Sequence, residues 1–203
     1  MATPTATPAS ENATSKSDIN IRLATVEDLP YLVEIETACD QLFRDIDMHA
    51  IADADLPTVE QYRDCQEQKY VWVAVLATAG DDKKPVAYVQ IDKFENDKAL
   101  KSVYIHQISV HPSHARRGIG RQLMEFLETE SKQQGRFQAL DLTTFDEVPW
   151  NRKYYQRLGF AVLSEEELAR DECKDIRQQL QREKDDEVLG QWKRVAMRKR
   201  TNV

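Results

Sequence analysis

Three arginines and two glycines stand together near the middle of the chain, just after an apolar stretch that ends at Pro112; they are Arg116, Arg117, Gly118, Gly120 and Arg121. Where a strand turns into a helix, backbone N–H groups are unpaired and the positive end of the helix dipole faces the turn. Glycine has no Cβ to hold an anion away, and arginine adds charge-assisted hydrogen bonds. The sequence therefore predicts a site for a pyrophosphate with a further phosphate nearby, and a diphosphate-bearing cofactor follows as a hypothesis.

The spacing of these residues argues against two common nucleotide-binding loops. A dinucleotide fingerprint needs a third glycine, and Leu123 stands where it would fall. A P-loop needs Gly-Lys-Ser or Gly-Lys-Thr, and Gly120 is followed by Arg121. The alternative to an anion site is that the arginines form only the exposed face of a helix.

The segments around this turn alternate between strand-like and helix-like patterns. Apolar alternation predicts strands over 19–23, 70–78, 86–91, 102–110, 137–144, 160–163 and 194–200. Helical spacing predicts helices from Asp28 to Leu42, over 58–68, over 117–134 with Gly135 as its stop, and over 150–158 with Gly159 as its stop. The fold class is therefore a mixed α/β fold of the α+β type.

The last forty residues are rich in charge. Ser164 and Glu167 can form a capping box, and a thin apolar stripe follows, so the stretch 164–190 is predicted to be an amphipathic helical insertion before the last strand. The last strand carries basic residues, which we expect to protect a sheet edge from pairing; they are Lys193, Arg194, Arg198, Lys199 and Arg200. An import signal or a polyanion-binding patch is the alternative.

The composition fits one globular domain and disfavours several functions. The 203 residues are the usual length of one domain, and residues 1–18 are too polar to fold, so a disordered tail is expected before a domain over 19–203. The net charge of −7 disfavours nucleic-acid binding. The longest apolar run, 71–77, is far shorter than the ~20 residues of a membrane span.

The cysteines point to a reducing compartment. Cys39, Cys65 and Cys173 are few and widely separated, so we expect free thiols and no metal site. A cytoplasmic location is expected, with the nucleus as the alternative.

Several stretches together resemble one known family. The turn is entered through Ile108-Ser109-Val110-His111-Pro112, the predicted first strand and helix contain Ile21-Arg22-Leu23-Ala24-Thr25-Val26-Glu27-Asp28-Leu29, and Asn151 precedes Tyr155-Gln156-Arg157-Leu158-Gly159-Phe160. These stretches resemble the GNAT superfamily of N-acetyltransferases over about residues 19–163 and the last strand. The resemblance implies a twisted mixed sheet of about seven strands flanked by helices.

The resemblance also implies acetyl-CoA as cosubstrate. In this family two central strands splay apart, and the backbone near Ile108 and Val110 hydrogen-bonds the pantetheine arm. Ala115 stands where the family usually has Gln or Arg, so that contact is lost or moved to Arg116. The residues implied in cofactor binding are Ile108, Ser109, Val110, Arg116, Arg117, Gly118, Ile119, Gly120, Arg121, Asn151 and Tyr155.

The implied reaction is direct attack of an amine on the thioester in a ternary complex, with the Val110 N–H donating to the thioester oxygen. An amine of pKa ~10.4 must lose a proton before it attacks. His106 is the first choice of base, because it lies on the same strand and its ordinary pKa near ~6.5 suits the task. Glu34 and Glu36 are rival bases. Tyr155 matches the family tyrosine that protonates the departing thiolate, and a packing role in the core is its alternative.

The acceptor is expected to be a primary amine, small and cationic or amphipathic. Acidic residues on or after the first helix could attract it, or could be a solvated helix face; they are Glu34, Glu36, Asp40, Asp45 and Asp47. Trp150 is expected to pack, with a place at the acceptor pocket as the alternative. Acetylation of a protein lysine or N-terminus is the second function, and a non-catalytic acyl-CoA sensor is the third. Neither nucleic acid nor membrane is expected as a partner, and a homodimer is left open.

Overall fold

The structure is a computed structural model that describes residues 19–77, 84–94, 100–133 and 137–201. The predicted tail at 1–18, the turn at Gly80 and the helix stop at Gly135 lie outside the described residues.

Seven strands form a single sheet, as predicted; they are β1 (Ile19–Leu23), β2 (Val71–Leu76), β3 (Pro85–Phe94), β4 (Ser102–Val110), β5 (Ala139–Phe145), β6 (Ala161–Val162) and β7 (Arg194–Arg200). Their order across the sheet is β1-β2-β3-β4-β5-β7-β6. Only the pair β4–β5 is parallel among the described strands, and the other pairs are antiparallel. The sheet is therefore mixed, with its parallel pair near the centre.

Helices cover both faces of the sheet; they are α1 (Leu29–Arg44), α2 (His49–Ala52), α3 (Val59–Glu67), α4 (Ile119–Gln133), α5 (Arg152–Arg157), α6 (Glu165–Leu168) and α7 (Lys174–Asp185). Local sequence sets several of their starts. Thr58 with Gln61 caps α3, and Ser164 with Glu167 caps α6, each as a capping box. The charged stretch 164–190 is thus largely helical.

The two faces have separate cores. On one face α4 inserts Ile119, Leu123 and Leu127 against the central strands. On the other face α1 and α3 pack over β1–β3, where Leu32 and Tyr62 are buried. The stripe of α7 packs on that same face over β7, since Ile176 and Leu180 form a cluster with Ala196. The space between α1 and α7, over the middle of the sheet, is where a site can form.

The prediction that 194–200 forms an edge strand is wrong, because β7 lies between β5 and β6. Its basic side chains do not guard an edge but pair with acids of the surrounding elements. The pairs are Arg194–Glu183, Arg198–Asp141, Lys199–Glu128 and Arg200–Glu172. Strand β6 is instead the edge at this end of the sheet, and it has only two residues, which limits the unpaired backbone that it exposes.

The pair Arg198–Asp141 is buried inside the sheet. The guanidinium donates from Nε to Oδ1 at 2.7 Å and from Nη2 to Oδ2 at 2.8 Å, and the Ser102 hydroxyl donates to Oδ2 at 2.7 Å. The two side chains are 4% and 0% exposed. A charge at that depth is tolerated only when it is paired and hydrogen-bonded, so each residue requires the other.

Arg198→Met should lower the free energy of unfolding by about 3–5 kcal/mol, because it leaves the Asp141 carboxylate buried without a counter-charge. Urea unfolding measures the change. Arg63→Met, which breaks the exposed pair with Glu60, is the control and should cost less than about 1 kcal/mol. The double variant Asp141→Leu/Arg198→Met should recover most of the loss. Equal costs for the two single variants would contradict this account.

Candidate active site

The parallel pair β4–β5 comes apart halfway along its length. Its last paired residues are Ile105 and Leu142, although β4 continues to Val110 and β5 to Phe145. A β-bulge adds to the divergence: Gln107 pairs with Gln90 on β3 and Ile105 with Ile91, so His106 is the extra residue. A gap therefore opens between the ends of two central strands.

Backbone groups of β4 point into this gap. The N–H of His111 donates to the carbonyl of Val86 on the β3 side at 2.9 Å. Because main-chain groups alternate in direction along a strand, those of Ile108 and Val110 face away from β3 and toward the gap. The Val110 carbonyl accepts from the Cys39 thiol at 3.4 Å. The Val110 N–H points in the same direction as the Val110 carbonyl. This is the direction that the predicted hydrogen bond to the thioester oxygen requires.

The arginine–glycine turn joins β4 to α4 at the end of this gap. Arg116 and Gly118 both take left-handed backbone conformations, with φ of +59° and +76°. A Cβ built on Gly118 would meet nothing within 4 Å, so a ligand has free access to the backbone there. Successive left- and right-handed residues gather N–H groups into an anion-binding concavity. The side chains of Arg116, Arg117 and Arg121 are exposed around it, and the turn fits a diphosphate.

Gly120 serves a different purpose from Gly118. A Cβ at this position would lie 2.8 Å from the Tyr154 hydroxyl and 3.5 Å from Val110. Glycine here lets α5 approach the start of α4, so Tyr154 packs against the turn.

The gap opens into a cavity of about 610 Å³ that passes beside β4 and β5. The lining includes β4 from Ile105 to Val110 and β5 from Leu142 to Phe145. Helix α1, the segment after α2, the residues around the start of α5, the α7 region and the first residue of β7 complete it; their polar and aromatic lining residues are Glu36, Cys39, Asp40, Phe43, Asp55, Trp150, Asn151, Tyr155, Gln179, Glu183, Asp186 and Arg194. Trp150 lies at this cavity and also packs against Phe43 at 5.8 Å between ring centroids.

A buried carboxylate, Glu36, forms part of the cavity wall. It is 8% exposed, and it accepts hydrogen bonds from Gln107 Nε2 at 2.7 Å, from Ser109 Oγ at 3.0 Å and from the Tyr88 hydroxyl. Burial raises the pKa of Glu36 to about 7, and the nearby Asp40 adds to the rise, while the bonds from Tyr88 and Ser109 oppose it. This carboxyl therefore exchanges protons near neutral pH.

The structure separates the two glutamates of α1. Glu34 is exposed and does not line the cavity, because two residues correspond to about 200° of rotation around a helix. It is therefore not brought to the site, unlike Glu36. Asp40, one turn further along α1, also lines the cavity, and burial raises its pKa to about 6. Asp45 and Asp47 are exposed outside it.

His106, Tyr155 and Asn151 all reach the cavity. The imidazole of His106 is open to it, and the surrounding protein lowers the pKa of this residue, with Glu183 and Asp92 opposing. Burial raises the pKa of Tyr155 well above its ordinary value, so its phenol keeps its proton. Asn151 begins α5 and lines the same cavity.

The stretch 164–190 supplies one wall. Glu183 of α7 accepts from Thr143 Oγ1 at 2.6 Å and from Arg194 Nε at 2.7 Å. The Arg194 guanidinium also lies 4.4 Å from the Phe145 ring centroid. One apolar cluster then joins the α1–α2 region to the segment after α7; its members are Phe43, Ile46, Met48, Ile51, Phe145, Val148, Val188, Leu189 and Trp192. This cluster closes the cavity at the end of β5.

Sequence reasoning missed several of these residues. Tyr88, Gln107 and Glu183 lie in strands or in a charged helix, where nothing local distinguishes them. One signal was available for Gln107, since it stands on β4 beside His106. Tyr88 and Glu183 can be assigned to the site only from the structure, which places β3 and α7 next to β4 and β5.

The fold and site can now be compared with known proteins. The model of the Acetyltransferase (GNAT) family matches residues 31–160. The chain belongs to this family of acetyltransferases.

Solved structures share the fold. PaiA N-acetyltransferase from Thermoplasma acidophilum, in complex with coenzyme A, is 14% identical with a TM-score of 0.62, over 90% of this chain and 98% of that one. The ribosomal-protein-S18-alanine N-acetyltransferase from Escherichia coli is 17% identical, with a TM-score of 0.58 over 91% and 95%. A chain of the NatC complex bound to Gag peptide and CoA is 13% identical, with a TM-score of 0.61 over 91% and 99%.

No helix in the described ranges has the length and apolar character needed to cross a membrane. Nor does the described part of the chain bring three His, Cys, Asp or Glu side chains together as metal ligands.

Gly120→Ala should lower stability by about 1–3 kcal/mol and weaken coenzyme A binding, because its methyl group collides with the Tyr154 hydroxyl beside the turn. Thermal unfolding and titration calorimetry measure the two effects. Adding Tyr154→Phe removes the colliding oxygen and should restore both. Gly118→Ala is the matched control: its defect comes from the left-handed backbone, so Tyr154→Phe should not rescue it. Rescue of both variants, or of neither, would refute the distinction.

Proposed function

We propose that this protein transfers the acetyl group of acetyl-CoA to the amino group of a small cationic amine, in a ternary complex. The observation that carries the proposal is the buried Glu36, which Ser109 and Gln107 hold beside the backbone groups of β4 that face the gap. A carboxylate that exchanges protons near neutral pH, placed beside an N–H directed at a reacting carbonyl, suits aminolysis of a thioester.

The cofactor half of the site is basic and open. The concave turn at Arg116–Gly118 would hold the diphosphate, with Arg117 and Arg121 adjacent, and the backbone of Ile108 and Val110 would pair with the pantetheine arm. Ser109, Ile119, Gly120 and Asn151 complete this half. Ala115 is exposed and extended just before the turn, which supports a role for Arg116 in place of a side-chain contact there.

Acetyl-CoA supplies the acetyl group as an activated thioester. We propose that Glu36 takes a proton from the acceptor ammonium, so that the freed nitrogen attacks the carbonyl carbon. The Val110 N–H donates to the carbonyl oxygen, where negative charge develops. As the C–N bond forms and the C–S bond breaks, Tyr155 gives its phenolic proton to the departing sulfur. The attacking nitrogen, positively charged after C–N bond formation, releases its second proton to solvent to give the neutral amide, and Tyr155 regains a proton from solvent.

The contacts of Glu36 favour it over His106 as the base. Glu36 is bonded directly to Ser109, the neighbour of Val110, whereas His106 lies four residues before Val110 on β4. Because the pKa of His106 is lowered, its ring is neutral at pH 7 and can pass a proton onward to solvent. Glu34 is not proposed, since it faces away.

The charge of the cavity supports a cationic acceptor. Five carboxylates of the described residues line it; they are Glu36, Asp40, Asp55, Glu183 and Asp186. Among the described lining residues Arg194 is the one Lys or Arg, and it is already paired with Glu183. An ammonium group would therefore enter a negative field, which raises its local concentration.

A protein N-terminus is the second candidate acceptor. Two of the similar structures are a ribosomal-protein-S18-alanine N-acetyltransferase and NatC bound to a peptide, and an α-amino group is also cationic near neutral pH. Phe43, Ile51, Phe145, Val188 and Leu189 of the apolar cluster line the cavity, and these bulky side chains favour the small amine.

Release of coenzyme A thiol from acetyl-CoA tests the activity. We expect release to depend on an added amine, to be faster with small amines than with peptides that begin with Ala or Ser, and to fall in Tyr155→Phe. Coenzyme binding without any release would overturn the proposed function in favour of a sensor, and release that does not depend on an amine would overturn it in favour of thioester hydrolysis.

The pH profile tests the base. In the wild type, kcat should rise with pH through about 7 as Glu36 loses its proton, since only the ionised carboxylate can accept one. Glu36→Gln should lose about 10²–10⁴-fold in kcat together with this limb. Ser109→Ala should shift the limb to higher pH, because it removes a hydrogen bond that stabilises the ionised carboxylate and so lowers the pKa of Glu36.

Glu34→Gln is the matched control on the same helix and should leave both the rate and the profile unchanged. A limb that survives Glu36→Gln but disappears in His106→Ala would show that His106 is the base instead.

A further inference from the structure

A second chamber of about 250 Å³ lies behind Glu36. It shares Glu36, Pro57, His106 and Gln107 with the main cavity, so the two spaces meet at the proposed base. Its remaining lining residues come from α3 and β3; they are Gln61, Tyr62, Cys65, Tyr88 and Gln90. The proposed reaction assigns no role to this space.

The cofactor cannot fill this chamber. The coenzyme arm needs the gap where β4 and β5 are unpaired, whereas the chamber lies over β3 and β4 where they are paired, at Gln90 with Gln107 and Tyr88 with Ser109. The anion-binding turn lies beyond the opposite end of the gap. An acceptor that extends past Glu36 would place atoms there, because the two cavities share Glu36, His106 and Gln107.

The lining presents hydrogen-bond acceptors. Gln90 donates from Nε2 to the Cys65 sulfur at 3.2 Å, and Gln107 donates from Nε2 to Glu36 and Ser109. Their carbonyl oxygens have no donor among the described residues, and the two residues are directly opposite in the β3–β4 register. Two amide oxygens near one carboxylate suit a group with several N–H donors.

The charge around the chamber favours a cation. No Lys or Arg is among its described lining residues. Asp64 and Asp92 lie close enough to help raise the pKa of Cys65, after burial. The imidazole of His106, whose pKa is lowered, is neutral at pH 7 and does not repel a positive charge.

We propose that this chamber binds a second amino group of the acceptor, so that the preferred acceptors are aliphatic diamines. One amino group lies at Glu36 and is acetylated, while the other donates to the amide oxygens of Gln90 and Gln107. This inference rests on the proposed function, since it concerns the other end of the same acceptor.

An amine series with matched lengths tests the proposal. Unbranched α,ω-diamines should exceed alkyl monoamines of equal length by about tenfold or more in kcat/KM, because a charged hydrogen-bonding group is recognised in the chamber. Amino alcohols should fall between the two. Equal values for diamines and monoamines would overturn the proposal.

Two glutamine variants locate the effect. Gln90→Leu removes an acceptor oxygen from the chamber and should bring the ratio of diamine to monoamine kcat/KM close to one. Gln68→Leu, at the exposed end of α3, should keep the wild-type ratio. A diamine preference that is the same in both variants would place the second amino group elsewhere.

Thiol labelling gives a readout that needs no turnover. Cys65 lines the chamber, Cys39 lines the main cavity and Cys173 is buried elsewhere. With coenzyme A present, a diamine should slow alkylation of Cys65, measured by peptide mass spectrometry, more than the equal-length monoamine does. Turnover without diamine preference or Cys65 protection would overturn the chamber and leave the proposed function intact. Protection of Cys65 without any turnover would overturn the proposed function but would leave the binding of a diamine in the chamber intact.

Discussion

The pairing of β4 with β5 ends at Ile105 and Leu142, and the rest of the site depends on that break. A parallel pair that continued to Val110 would satisfy its own backbone groups and leave no room for a ligand. The bulge at His106 directs β4 away, and the apolar cluster around Phe145 holds the end of β5. The unpaired N–H and C=O groups are thus a consequence of the sheet's geometry, and an extended ligand can satisfy them as a further strand would.

The two sides of the sheet carry groups of opposite charge at the site. On the α4 side, the turn at Arg116–Gly118 gathers N–H groups and guanidinium groups for an anion. On the α1 and α7 side, carboxylates predominate among the described lining residues, and the one arginine among them, Arg194, is paired with Glu183. The helical stretch before β7 completes this second half, because Glu183 binds Thr143 and Arg194 at the point where β5 leaves β4. A negatively charged cosubstrate and a positively charged acceptor would therefore approach the gap from different sides.

Much of the fold could be predicted from the sequence, because alternation and capping are local: β4 matches its predicted range, and the Ser164–Glu167 capping box forms. The position of β7 could not be predicted, since strand order depends on contacts between distant segments. Its basic residues are typical of edge protection in the sequence alone, whereas in the structure Arg198 lies opposite Asp141. The turn at Gly118 could be predicted for the same reason, because its glycines and arginines lie in one short stretch of the sequence. Glu34 and Glu36, by contrast, look alike in the sequence, and only the rotation of α1 about its axis distinguishes them.

The burial of Glu36 also links stability to pH. Its pKa in the folded protein, about 7, is above the ordinary value of 4.5, so folding favours its protonated form. The stability it contributes is complete below the unfolded pKa and is lost as pH rises through about 7. The ionised form, which the proposed base needs in order to accept a proton, is therefore the form that lowers the stability of the fold. Selection for thermal resistance in mildly alkaline buffer would favour neutral residues at position 36. The selected proteins would be more stable but would lack the proposed base.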